Sequence, residues 1–187
     1  MKLPVAVKLL NIEPDQDIFN YDFDDLILKK VRYSKIKDDP TDPNQLFADS
    51  KALGFIYTPW GPDVTIDDNF ETTFKNQSHP LFPLVMNEVK KVEELLNATA
   101  RLATISGLAP GGEILEHTDK SPIFLAVHRV HLPLRTDNNV KFRVDGIAYN
   151  FEVGKFYEFD NTRPHAVTND SEIERIHLII DLTPNKI

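Results

Sequence analysis

After Asn97 the hydrophobic period of the chain changes from that of a helix to that of short strands, and this switch restricts the fold more than any other feature. A strand is expected over residues 100–106, followed by a turn at Pro110-Gly111-Gly112. Residues 123–134 are β-rich. Residues 140–144 and 147–151 flank Asp145-Gly146, a two-residue hairpin signal. Further strands are expected from Gly154 through Phe159, over 165–168, and over 173–182 after a turn at Asn169-Asp170-Ser171. Seven or eight short strands divided by turn signals, with no helix among them, predict a sandwich or barrel.

The chain before the switch is of a different kind. Residues 81–97 form the best helix, with Leu81, Val85, Val89, Val92 and Leu96 on one stripe and Lys90, Lys91, Glu93 and Glu94 off it. Residues 1–11 read as a first strand. A short amphipathic element is expected over 25–31, a strand over 31–36, and a short helix over 46–53 ending near Gly54. Pro59-Trp60-Gly61-Pro62 reads as a loop. One domain is expected over 1–187, with 1–99 as α/β support and 100–183 as the core that carries function.

Charge and composition exclude several classes. A net charge of −8 disfavours nucleic acid and anionic membranes as partners. With no cysteine there is no disulfide framework, thiolate metal site or cysteine nucleophile. No apolar run approaches a membrane span. The first residues are too short and too interrupted, by Pro4 and Lys8, for a secretion signal, so the cytoplasm is the expected compartment.

Residues 106–181 hold five of the six histidines, among them His117-Thr118-Asp119 and His165. With six histidines and 29 acidic residues in 187 positions, one His-x-acid pairing is an accident of composition. On a strand, however, residues i and i+2 share a face, so His117 and Asp119 could reach one ion, and a returning strand could add His165. Two histidines and a carboxylate with open positions opposite suit non-haem Fe(II), with Zn as the rival metal. Arg175 lies one hairpin away from His165, across the turn at Asn169–Ser171, on a strand where it shares a face with His177 while Ile176, Leu178 and Ile180 take the other. An inward guanidinium needs a carboxylate, from the chain itself or from a bound dicarboxylate. Arg129 and His131 share a face of another strand, although His131 alone reads as readily as a packed core histidine. His128 points the other way and His79 reads as local structure beside the helix. Tyr57 and Trp60 are candidates for a substrate pocket, with simple packing of an aromatic loop as the alternative.

Taken as a set, these residues resemble the catalytic domain of the aspartyl/asparaginyl β-hydroxylase family, a branch of the Fe(II)/2-oxoglutarate dioxygenases. The matching features are Ser106-x-Leu108-x-Pro110-Gly111, then His117, then Arg129-Val130-His131-Leu132, Gly154, Phe159-Asp160-Asn161-Thr162-x-x-His165, Asn169, and Arg175 before Ile179-Ile180-Asp181. The resemblance implies a double-stranded β-helix, a jelly roll of cupin type, with the N-terminal half as its α/β supplement. It implies Fe(II) on His117 and His165, with 2-oxoglutarate and O₂ as co-reactants. Ser106 and Arg175 would lie near the far carboxylate of 2-oxoglutarate, and Arg129 and His131 near its metal-binding end. The animal members lack the carboxylate that Asp119 offers here; bacterial amino-acid hydroxylases, proline hydroxylases included, show it. The expected substrate is therefore an amino acid or peptide. The readings left open are a non-catalytic jelly-roll module that binds a carboxylate, and a Zn or Mn cupin-like isomerase or hydrolase.

Overall fold

The computed structural model describes residues 3, 5–30, 47–58, 72–120 and 124–185. The strands are β1 (Val7–Leu9), β2 (Lys29–Lys30), β3 (Ser50–Tyr57), β4 (Thr73–Phe74), β5 (Ala98–Leu108), β6 (Glu113–His117), β7 (His128–Arg135), β8 (Val140–Val144), β9 (Ile147–Tyr149), β10 (Tyr157–Phe159), β11 (His165–Asn169) and β12 (Arg175–Pro184). Helix α1 spans Leu81–Leu96, and a 3₁₀ turn spans Gln16–Asn20.

From β5 onward, the chain crosses repeatedly between two antiparallel sheets, the β8–β9 hairpin alone staying within one. β5, β7, β10 and β12 lie in an eight-stranded sheet ordered β1-β10-β7-β12-β5-β3-β2, with β4 also on β3. β6, β8, β9 and β11 form a four-stranded sheet ordered β6-β11-β8-β9. This alternation along the chain is that of a jelly roll, as expected. The early strands β1 to β4 do not form a layer of their own; they widen the larger sheet on both sides.

Helix α1 covers the outer face of the larger sheet. Four of its five stripe residues are buried as the spacing requires, Leu81, Val85 and Val92 at 0% exposed and Val89 at 1%, while Leu96 at the helix end is half-buried. They pack against Val130, Leu132, Ile176, Leu178, Ile180 and Leu182. At about 1.5–3 kcal/mol for each large apolar side chain removed from water, this contact is the main reason the helix forms. His79 Nδ1 accepts from the Leu81 N–H at 3.2 Å, so that histidine is indeed local structure. Pro83 falls in the first turn, where a missing N–H costs nothing. Asn97 stops the helix in the left-handed conformation, φ 46°. A second core fills the space between the sheets, with Leu108, Phe142, Val144, Phe151, Tyr157, Phe159 and Val167.

Several local expectations hold. Asp145 and Gly146 both have positive φ, 51° and 74°, as the tight β8–β9 hairpin requires. Others are corrected. The helix expected over 46–53 is instead a turn at 47–49 leading into β3, which pairs with β5 from Ser50 to Tyr57. The local residues allow a helix, but the unpaired edge of the long strand β5 offers a ladder of hydrogen bonds, and tertiary pairing overrides propensity. The element at 25–31 reduces to the two-residue β2. The turn at 169–171 does not make a hairpin: β11 and β12 lie in different sheets. Asn169 fastens that crossing, donating from Nδ2 to the carbonyls of Leu108, Ala109 and Ile173 at 2.8, 3.1 and 2.9 Å. The strand expected over 31–36 and the loop at Pro59–Pro62 with Trp60 lie outside the described residues. Among the described residues, no helix is long and apolar enough to cross a membrane.

Candidate active site

His117 ends β6 and His165 begins β11, and the two are direct partners in the antiparallel register. Their ring centroids are 4.2 Å apart. Asp119 lies two residues beyond the end of β6, so a shared strand face does not place it. Its backbone N–H donates to the Asn161 carbonyl at 3.1 Å, and this turns the carboxylate towards the histidines. His117 Nε2 and Asp119 Oδ1 are 3.9 Å apart. One ligand atom from each of His117, Asp119 and His165 lies within 4.8 Å of the others.

The free ring nitrogens follow from the backbone. His117 Nδ1 is 2.7 Å from the Leu115 carbonyl, and His165 Nδ1 is 2.9 Å from the Arg163 carbonyl. A carbonyl only accepts, so each Nδ1 carries the proton and each Nε2 a lone pair. Burial, then the neighbouring His117, lowers His165 to about 4. Burial raises Asp119, but Arg129, His165 and Asn161 outweigh it and hold the carboxyl below its usual range. At neutral pH His165 is therefore neutral and Asp119 ionised, the states in which both ligate a cation.

Arg129 does not stand apart as an anion site. Its Nη1 donates to Asp119 Oδ2, while Nε and Nη2 grip Asp181 Oδ1 and Oδ2, each at 2.7 Å. Asn161 Nδ2 adds a bond to Asp119 Oδ2 at 3.1 Å. One carboxylate oxygen of Asp119 is thus held by the protein and the other faces the histidines. Asp181 and Asn161 fall within the motifs that carry the resemblance, but nothing in the sequence points to a role for either. What links them to Asp119 is contact between strands, which spacing does not show.

A second polar group lies between the sheets. Arg175 is 1% exposed, and no carboxylate of the described residues pairs with it, so the internal salt bridge is not there. Its Nη2 donates to His177 Nδ1 at 2.8 Å, and His131 Nδ1 is 3.3 Å from that same atom. Arg175 Nε and Nη1, His131 Nε2 and His177 Nε2 are buried without any partner. Burial lowers Arg175 to about 9, and burial followed by the charge of Arg175 lowers both histidines well below their usual value. Phe142, Phe151 and Phe159 ring His131, with centroids 5.5, 6.2 and 5.2 Å away. Ser106 is the cross-strand partner of His177 on β5. Arg175 Nε and Nη1 can only donate, and each unsatisfied buried donor costs about 1–3 kcal/mol, so an anion beside them would satisfy what the chain leaves open.

Tyr57 ends β3 and is 42% exposed, paired across the strand with Thr73 and Leu102. A crevice of about 330 Å³ lies between residues 48–51 and 109–112, and none of the predicted site residues lines it.

Comparison with known proteins gives three findings. The family described as aspartyl/asparaginyl beta-hydroxylase matches residues 66–184, well over half of the chain. No curated protein matches. Among solved structures, a prolyl hydroxylase from Trichoplax adhaerens, in complex with a hypoxia inducible factor oxygen degradation domain peptide fragment, is similar with a TM-score of 0.59 at 10% identity, covering 95% of this chain and 83% of that one. An oxidoreductase of the 2OG-Fe(II) oxygenase family from Burkholderia pseudomallei gives 0.55 at 14% identity, covering 75% of each chain. The viral collagen prolyl hydroxylase of Paramecium Bursaria Chlorella virus-1, in its 2OG complex, gives 0.51 at 13% identity, covering 75% of this chain and 83% of that one. At these identities the likeness is one of fold.

Proposed function

As the chain belongs to the aspartyl/asparaginyl β-hydroxylase family, we propose that it is an Fe(II)- and 2-oxoglutarate-dependent dioxygenase that hydroxylates an amino-acid or peptidyl substrate. One observation carries the reading: a two-histidine, one-carboxylate set within 4.8 Å, both imidazoles turned by backbone carbonyls to present Nε2. That donor set fits a divalent first-row metal with open positions. The unpaired nitrogens of Arg175 fit the far carboxylate of a 2-oxo dicarboxylic acid.

When bound, Fe(II) and 2-oxoglutarate together supply the activation of O₂ that hydroxylation requires. The residues of the chain bind and orient. His117 and His165 would hold the metal through Nε2, and Asp119 through Oδ1. Arg129 and Asn161 fix Asp119 by its other oxygen, so the carboxylate neither rotates nor takes up a proton. Arg175 would take the far carboxylate with Ser106 beside it, and His131 would face the metal-binding end. Arg175 is itself cut off from water, and Phe142, Phe151 and Phe159 pack around the neighbouring His131, so an anion there would meet the guanidinium in an apolar surround that strengthens the attraction.

The test is anaerobic addition of Fe(II) and 2-oxoglutarate to the metal-free protein, followed by O₂ with a panel of amino acids and peptides. A visible charge-transfer band of a chelated 2-oxo acid, then succinate formation coupled to one substrate, is the expected result. Binding without succinate would leave a carboxylate-binding module, and activity with Zn or Mn but without O₂ would leave an isomerase or hydrolase.

A further inference from the structure

Arg175 is held in an unusual way. A buried guanidinium is ordinarily oriented by a carboxylate, yet here the residue doing so is His177. All guanidinium nitrogens donate. The 2.8 Å contact from Arg175 Nη2 therefore makes His177 Nδ1 an acceptor and puts the imidazole proton on Nε2. His131 Nδ1 is 3.3 Å from the same atom. Two lone pairs would repel there, so His131 carries its proton on Nδ1 and shares the acceptor with Arg175. The three groups form one fixed chain in which a single neutral nitrogen receives two donors.

We propose that His177 is a positioning residue for the cosubstrate's far carboxylate: its unprotonated Nδ1 aims the Arg175 guanidinium and sets the tautomer of His131 without neutralising the charge that the ligand needs. An acid in its place would orient Arg175 equally well, but would take up the positive charge. A neutral acceptor leaves Nε and Nη1 open and the charge whole. Burial and the nearby Arg175 keep His177 neutral, which the arrangement requires. Ser106, directly opposite on β5, completes the polar edge. The inference rests on reading this patch as the 2-oxoglutarate site.

Two measurements test it. Two-bond ¹H–¹⁵N imidazole spectra of the metal-free protein should show His177 protonated on Nε2 and His131 on Nδ1. The opposite tautomer at His177, or an imidazolium at neutral pH, overturns the arrangement. Calorimetric titration of 2-oxoglutarate into Zn(II)-loaded protein then reads the function without turnover. His177→Leu should weaken binding about tenfold, the worth of one charge-assisted hydrogen bond. His177→Asn, whose Oδ1 falls near the place of Nδ1, should recover most of it, and His177→Gln should not. Unchanged affinity in His177→Leu would make His177 a space filler. If Gln rescues and Asn does not, His177 acts through Nε2 by direct contact and the positioning role is wrong. Should the leucine variant fail to fold, the asparagine and glutamine pair still decides. A wild-type protein that binds no 2-oxoglutarate retires the oxygenase reading, and the cosubstrate role with it, while the tautomers still report on the hold over Arg175.

Discussion

β12 is buried on both faces, and the two faces differ in kind. Ile176, Leu178, Ile180 and Leu182 are each 0% exposed and join helix α1 in an apolar cluster. Arg175 and His177, each 1% exposed, are as deep on the other face, yet three of their nitrogens have no partner. Depth of burial therefore does not separate core from site. Satisfaction does: apolar contacts are complete on the helix side, and hydrogen-bonding groups are left open between the sheets. One strand carries complete apolar packing on one set of residues and, on the next, open hydrogen-bonding groups proposed to bind ligand, at a cost in stability.

The contrast can be broken from either side. The largest effect is expected at the metal set: His165→Ala should abolish Fe(II)-dependent turnover, because one of two fixed imidazoles is gone, while the thermal melt of the metal-free protein stays at or above wild type. Calorimetry with Fe(II) or an inert substitute checks the first part. Next, Arg175→Met should weaken 2-oxoglutarate by about 2–5 kcal/mol, the usual cost of truncating one partner of a buried charged pair. Iron affinity should hold, and the melting temperature should rise, since an unpaired buried charge is replaced by an apolar side chain of similar length. A fall in stability together with unchanged 2-oxoglutarate affinity would show that Arg175 belongs to the core.

Acid should also act on the inter-sheet side. His131, His165 and His177 all have lowered values in the fold, so between those values and the ordinary 6.5 the unfolded chain binds more protons. Stability of the metal-free protein is then fully present above about pH 6.5 and falls as pH drops, by roughly 1.4 kcal/mol per pH unit for each histidine. For His165 the loss ends near its folded value of about 4. Glu88, raised by burial on the helix side, works in the opposite direction above the ordinary glutamate value. Urea melts at a series of pH values check the sign; flat stability between pH 7 and 5 would contradict it. The smallest effect belongs to the apolar face: Ile180→Val should cost about 0.5–1.5 kcal/mol and leave ligand affinity unchanged.

Much of this molecule is determined by local sequence. The stripe of α1, the hairpin at Asp145-Gly146 and the alternation along β12 are periodic or conformational signals carried by neighbouring residues, and each appears where its spacing puts it. The grouping of His117, Asp119 and His165 was legible in part: spacing singled the three out and the structure brings one ligand atom of each within 4.8 Å, though not through a shared strand face. Tertiary structure decided what depends on partners. The stretch after residue 46 became strand because β5 offered an edge. Asp119 was placed by the Asn161 backbone, 42 residues away, and not by a strand face. Arg129 was committed to Asp119 and Asp181 because β7 and β12 pair in that register. His177 became the acceptor for Arg175, and no carboxylate of the described residues pairs with that guanidinium. A sequence shows which side chains share a face, but which buried group is left without a partner depends on every strand packed around it.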